Sequence, residues 1–154
     1  MTDCDGVLTD GGMYYASDGT EMKRFNTRDG MGFQLLREKG IKTGIVTGEN
    51  TPIVTNRAKK LQLDEVVLGC KDKLAAVQEQ AKKYELSMDE VAYIGDDIND
   101  IAALEWVGFA ACPNDAVEAV KQIPGIHVLS RKGGTGCVRE LVEKIIKEIH
   151  NEAH

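Results

Sequence analysis

At 154 residues, with 42% apolar and 29% charged side chains, the chain is long enough for one domain with a sizeable core and too short for two ordinary ones. Its 19 basic against 25 acidic side chains leave a net charge of −6, a surface that repels nucleic-acid phosphates, and no apolar run approaches the ~20 residues needed to span a bilayer. No signal peptide is visible, so a cytoplasmic location is the default, and the four dispersed cysteines (Cys4, Cys70, Cys112, Cys137) form no CxxC and argue against zinc and disulfides.

The chain opens on Asp3-Cys4-Asp5-Gly6-Val7-Leu8-Thr9-Asp10, which sets two carboxylates two residues apart at a strand-to-loop junction, where positions i and i+2 face one side. Only Met1 and Thr2 precede Asp3, whereas strands usually run about five or six residues. Either the first strand is very short, or the natural reading frame begins upstream of Met1. Gly11 to Phe25, with tyrosines and apolar residues around Ser17-Asp18-Gly19-Thr20, predicts a β-hairpin. One helix separates it from the apolar strand Ile41 to Thr47. Thr51-Pro52 supplies an N-cap and a first-turn proline for a helix through about Leu61. A strand from Glu65 to Gly69 follows, and then a helix on which Leu74, Val77, Ala81 and Tyr84 recur at helical spacing. Ser87-Met88-Asp89-Glu90 has capping-box form before the strand Val91 to Gly95. Helices over Ile98 to Trp106, Ala116 to Ile123 and Cys137 to His150, with strands at Phe109 to Ala111 and His127 to Leu129, complete the order. This alternation predicts a Rossmann-like three-layer α/β/α sandwich with a mainly parallel sheet, in a single domain spanning 1–154.

The chemistry follows from four motifs. A carboxylate of pKa near ~4 is ionised at neutral pH, so Asp3 can attack phosphorus without a base, leaving Asp5 to protonate a leaving alkoxide and then deprotonate water. A bare DxD is commonly two turn-capping acids; the later motifs change that reading. Thr47-Gly48 puts a hydroxyl and an unobstructed N–H at a strand end, suited to phosphate oxygens. Lys73 opens a helix, where the dipole disfavours a cation, so it has another task, balancing phosphate and the aspartates; Lys71 is a nearby competitor for it. Gly95-Asp96-Asp97-Ile98-Asn99-Asp100 places acids at the carboxyl edge of the sheet. Carboxylates converging on an anionic phosphate require a hard divalent cation, and Mg²⁺ fits, with Asp3 and Asp96 as carboxylate ligands and Asp5 through its main-chain carbonyl. Asp97 and Asp100 support these ligands or start the helix.

Other chemistries fail. A cysteine phosphatase needs arginine six residues past its nucleophile, but Asp10, Ala76, Glu118 and Glu143 stand there. His127, His150 and His154 all lie near the carboxyl end and look solvated. Gly133-Gly134-Thr135-Gly136 fits no nucleotide fingerprint and reads as a flexible loop that closes on substrate.

The set DxDGVLTD, Thr47-Gly48, Lys73 and GDDxND resembles the haloacid dehalogenase superfamily of phosphohydrolases, and nearly the whole chain resembles its capless branch acting on phosphates of eight- and nine-carbon 3-deoxy-2-ulosonic sugar acids. Asp10-Gly11-Gly12, Phe25-Asn26-Thr27-Arg28-Asp29-Gly30, Arg57-Ala58 and the Gly133 to Glu140 stretch carry the closer likeness. Between Asp5 and Thr47, and between Thr47 and Lys73, there is no room for a cap domain. The resemblance implies a homotetramer packed through the hairpin at about residues 11–25, with a neighbour completing each site, and a small phosphorylated sugar acid as ligand, without nucleic acid or membrane. It implies Glu49, Arg57, Lys60 and Arg28 as substrate contacts. Glu49, where octulosonate enzymes tend to carry arginine, tilts the expectation toward the nine-carbon 2-keto-3-deoxynononate 9-phosphate over octulosonate 8-phosphate. The competing readings are a receiver-type phosphoacceptor, which leaves GDDxND unexplained, and a catalytically silent assembly module, which does not need the acids this chain keeps.

Overall fold

A computed structural model describes residues 1–154. Strands β1 (Tyr14–Tyr15) and β2 (Glu21–Met22) pair antiparallel, with Tyr14 opposite Met22, and form the expected hairpin. After them α1 (Thr27–Glu38) starts at Asn26, whose side chain accepts the Arg28 N–H at 2.8 Å. The sequence gives this helix weak boundaries, because Gly30 and Gly32 interrupt it and Phe33 and Leu36 are its only buried large apolar residues. Strands β3 (Gly44–Val46), β4 (Glu65–Val67), β5 (Ala92–Ile94), β6 (Phe109–Cys112) and β7 (His127–Val128) then alternate with α2 (Pro52–Lys60), α3 (Lys73–Lys83), α4 (Ile101–Trp106), α5 (Glu118–Lys121) and α6 (Cys137–Glu152).

These five strands are all parallel, β3 with β4 and β5 with β6 and β7. Thr2 joins the two groups through parallel bridges to Ile45 and Ile94. Its N–H donates to Gly44 O at 2.9 Å and its carbonyl accepts from Val46 N–H at 2.8 Å. The spatial order is therefore β4, β3, Thr2, β5, β6, β7, and the first strand is a single bridged residue at the centre of the sheet.

Side chains alternate across this sheet with the period of two that strands impose. Ile45, Ile94 and Ala111 join Phe33, Val54, Val138 and Leu141 on one face, whereas Val46, Tyr93 and Cys112 join Val77, Leu104 and Val120 on the other. Helices α1, α2 and α6 thus cover one face, and α3, α4 and α5 the other. The predicted three layers are present, and no cap domain interrupts them.

Two helices differ from expectation. Ile98 to Trp106 splits into a 3-10 turn over Ile98–Asp100 and α4, because the Asp100 side chain turns back to bond the Asp96 and Asp97 N–H groups. Ala116 to Ile123 shrinks to the four residues of α5, since Val117 is extended. All four cysteines are unpaired, with Cys4, Cys112 and Cys137 buried. No helix is long and apolar enough to cross a membrane.

Helix α6 begins at Gly136, which has no side chain to cap it. Asp29 of α1 does this instead, accepting the Arg139 N–H at 3.1 Å while itself 2% exposed. Burial pushes the Asp29 carboxyl up to about 6 against the pull of those backbone bonds. A carboxyl raised on folding favours the folded state when protonated. Its contribution is full below the unfolded value near ~4 and is lost as pH rises through about 6. Asp29→Asn, which cannot ionise, should therefore gain stability relative to the parent as pH climbs from about 4 to about 7, read from urea midpoints. A difference independent of pH would show that burial does not govern Asp29.

Candidate active site

Three strand positions that adjoin in the sheet deliver the first groups. Asp3 follows the bridged Thr2, Thr47 follows β3, and Asp96 lies two residues past β5, so all three emerge at the carboxyl edge, where parallel sheets hold ligands. They line a cavity of about 300 Å³ with Asp5, Gly6, Gly48, Glu49, Lys73 and Asp97, and no hydrophobic residue borders it.

Lys73 holds the floor of this cavity. Asp72 caps α3 by accepting the Ala75 N–H at 3.0 Å, which sets Lys73 as the first helical residue. From there its buried ammonium reaches Asp100 Oδ1 at 2.8 Å and Asp3 Oδ1 at 3.0 Å. Burial pulls the ammonium down, but the charges of Asp3 and Asp100 outweigh it and hold Lys73 above its ordinary value. Lys71 is exposed and takes no part. Asp100 is saturated: Oδ1 also accepts the Tyr93 hydroxyl at 2.6 Å, and Oδ2 accepts the Asp96 and Asp97 N–H groups at 3.0 and 3.2 Å.

Asp3 and Asp96 differ from Asp100 in what they leave free. Asp3 Oδ1 takes Lys73 and the Cys4 N–H at 2.7 Å, while its Oδ2 and both Asp96 oxygens receive no N–H or hydroxyl, and meet only each other's carboxyl. Carboxylate oxygens of Asp3, Asp96 and Asp100 lie within 4.8 Å of one another. Burial first, then the charge of Asp100, pushes Asp3 well above the usual carboxylate range, and burial raises Asp96 too. On its own such an Asp3 is not the ready carboxylate that an ordinary carboxyl would be; with all three acids ionised, three carboxylates against one ammonium leave two negative charges, which one divalent cation offsets. The unengaged donors are hard oxygens, those of Asp3 and Asp96 with the Asp5 carbonyl, to which no protein group donates. The residues present therefore fit a hard dication, with Asp100 as its support and not its ligand.

Gly6 leaves room for this set. Its φ is +83°, and a Cβ there would fall 1.9 Å from Asp96 Oδ2. The Gly133 to Gly136 stretch is not the flexible loop its composition suggests. Gly134 N–H donates to Val7 O at 3.0 Å, and a Cβ on Gly133 would meet Gly6 O at 1.9 Å, so the loop is wedged under the first motif.

Thr47 Oγ1 accepts the Glu49 N–H at 3.1 Å, which leaves its own proton to donate, and the Gly48 N–H has no protein acceptor. Both suit an anion. Asp97 is exposed and caps the turn after it through the Ile98 N–H at 2.7 Å. Of the expected substrate contacts only Glu49 lines the cavity. Arg57 stacks 5.2 Å over the Phe25 ring, Lys60 is exposed, and Arg28 belongs to a separate polar cavity of about 410 Å³ with Arg131 and Lys144.

The motifs assign no role to three further groups at the site. Thr9 Oγ1 accepts the Gly6 and Gly11 N–H groups, each at 3.2 Å, and so folds the first loop. Tyr93 reaches Asp100 because it sits three residues before Asp96 on the α3 and α4 face of β5. Lys23 bonds Asp5 Oδ1 at 2.8 Å; its i, i+2 spacing from Glu21 along the hairpin was the available signal.

Comparison with known proteins places this arrangement among relatives. Residues 30–108 match the haloacid dehalogenase-like hydrolase family. The 3-deoxy-D-manno-octulosonate 8-phosphate phosphatase of Yersinia pestis is 37% identical over 147 residues, covering 95% of this chain and 78% of that one. The crystal structure of the same phosphatase from Moraxella catarrhalis, in complex with magnesium, phosphate and KDO, is 38% identical with a TM-score of 0.91, covering 95% and 83%. The cobalt-bound form from Haemophilus influenzae is 36% identical with a TM-score of 0.90, covering 95% and 85%.

A ligand that binds only the folded chain stabilises it, by about 2.7 kcal/mol at a hundredfold excess over its Kd. Millimolar Mg²⁺ should raise the unfolding temperature, EDTA should reverse this, and Asp96→Asn should abolish it. An equal rise in Asp96→Asn would place the ion elsewhere.

Proposed function

This chain belongs to the haloacid dehalogenase-like hydrolases, as a phosphoric monoester hydrolase, and from that premise we propose that the cavity around Asp3 releases phosphate from a 3-deoxy-2-ulosonic sugar acid. The observation that carries the proposal is the meeting of Asp3, Asp5, Thr47, Gly48, Lys73 and Asp96, from four remote stretches of sequence, around one polar cavity.

Asp3 is the nucleophile. An oxygen of its carboxylate forms the new bond to phosphorus as the bond from phosphorus to the sugar oxygen breaks, and the departing alkoxide takes the proton of Asp5. The product is an aspartyl phosphate on Asp3. Asp5, now a carboxylate, removes a proton from water; that oxygen attacks phosphorus, and inorganic phosphate leaves as Asp3 is restored. Lys73, the Thr47 hydroxyl and the Gly48 N–H hold the phosphoryl oxygens throughout. Asp3, Asp96 and the Asp5 carbonyl would hold Mg²⁺, which when bound offsets the negative charge of carboxylates and phosphate.

The relatives named above act on the eight-carbon octulosonate 8-phosphate, so this ester stands first and the tilt toward the nine-carbon one loses its priority. One observation keeps the nine-carbon reading as the second: Glu49 lines the cavity, where a carboxylate accepts hydrogen bonds from sugar hydroxyls. Arg28, Arg57 and Lys60 stand away from the cavity of their own chain and are proposed to serve a neighbour. The hairpin supports such an assembly, because Met13, Tyr15 and Met22 are 49%, 60% and 62% exposed on it. We propose a homotetramer packed through these hairpins.

Phosphate release from both esters should depend on Mg²⁺, with the eight-carbon ester turned over faster, and should vanish in Asp3→Asn, since an amide is a poor nucleophile. Substantial turnover by Asp3→Asn would end the covalent mechanism. Glu49→Arg should move the ratio of kcat/KM further toward the eight-carbon ester; an unchanged ratio would remove Glu49 from substrate choice.

A further inference from the structure

Asp5 is fastened by a side chain from outside its own motif. Lys23 follows β2 directly, and although it belongs to an exposed hairpin its side chain is only 2% exposed. Its Nζ donates to Asp5 Oδ1 at 2.8 Å. Glu21 Oε1 lies 3.3 Å from the same ammonium without a hydrogen bond, so it lends charge while the directed bond goes to Asp5. Thr9 Oγ1 donates to the same Asp5 oxygen at 3.4 Å. Both donors fall on Oδ1, and no protein group donates to Oδ2.

We infer that Lys23 is a positioning residue for hydrolysis, which fixes the Asp5 carboxylate through Oδ1 so that Oδ2 alone is left for proton transfer. The inference rests on the acid and base role proposed for Asp5. Proton transfer requires the exchanging atoms within about 2.6–3.2 Å of each other, and a carboxylate free to rotate spends most of its time elsewhere. A buried ammonium on one oxygen removes that freedom more firmly than the long Thr9 bond. Lys23 thereby makes the hairpin part of the catalytic unit.

The experiment is steady-state kinetics of Lys23→Met, Lys23→Arg, Asp5→Asn and the pair Lys23→Met with Asp5→Asn, on the sugar-acid phosphate ester turned over fastest. Lys23→Met is expected to lower kcat about 10- to 100-fold with KM changed less than about threefold. Lys23→Arg should recover most of this loss, because its guanidinium can still bond Oδ1. The double variant should be no slower than Asp5→Asn alone, since Lys23 acts through Asp5. A raised KM with unchanged kcat would make Lys23 a substrate contact, and a further loss in the double variant would make its action independent of Asp5; either overturns the inference. Full turnover by Lys23→Met beside a crippled Asp5→Asn sinks the tether alone, whereas full turnover by Asp5→Asn sinks the acid and base role with it. Should Lys23→Met fail to fold, Lys23→Leu, which likewise has no donor, carries the same expectations.

Discussion

A single buried ammonium sets the geometry of this protein's catalytic edge. Lys73 has only Asp3 and Asp100 within ion-pair reach; the sheet delivers Asp3 beside β5, and the turn that follows β5 delivers Asp100. Removing one partner from a buried ion pair typically costs about 3–5 kcal/mol, because the remaining charge is stranded, so the three groups stand or fall together. Asp100 completes the arrangement by spending its other acceptor positions on Tyr93 and on the main chain of Asp96 and Asp97. Those bonds fix the backbone that carries Asp96. The consequence is a division among chemically identical side chains, in which Asp100 is used up in structure while Asp3 and Asp96 keep oxygens free.

That division follows from the order of the sheet. Thr2, bonded to β3 while its neighbours Met1 and Asp3 bond Ile94 of β5, brings the DxD motif between Thr47 and the GDDxND motif. Main-chain bonds on both flanks make a long strand unnecessary at this point. The first loop is then held by its own contacts: Thr9 folds it from within, and the glycine loop before α6 supports it from below.

Much of this was legible in the sequence, and the boundary of what was legible has a physical cause. Strand ends followed by Asp3, Thr47 and Asp96 stand out because strand periodicity and turn chemistry are local, as is the cap that makes Lys73 the first residue of α3. Asp29 and the Gly133 to Gly136 loop could not be read in the same way. Asp29 caps a helix more than a hundred residues away, and the glycines are needed for the approach of two backbones, facts that exist only once α1 lies against α6. Lys23 escaped for the same reason, since its partner Asp5 is 18 residues away across a hairpin. The separation of Arg28 and Arg57 from the cavity also depends on packing, because Arg57 is drawn onto the Phe25 ring.

The hairpin joins these threads. Two-residue strands have little stability of their own, and isolated hairpins are marginal in water. Here Lys23 on Asp5 and the Tyr14 hydroxyl on Asp10 at 2.6 Å fasten the ribbon to the domain, while Met13, Tyr15 and Met22 stay exposed. The same short ribbon thus carries both the proposed assembly surface and the proposed Asp5 tether. A neighbour that covers these exposed apolar residues lowers the entropy of the ribbon, and with it the entropy of Lys23. Assembly and proton transfer are on this account coupled through a rigid element a few residues long, without any change of fold. A hydrolase with no cap inserted between its motifs has particular use for such coupling, because no such insertion orders its site.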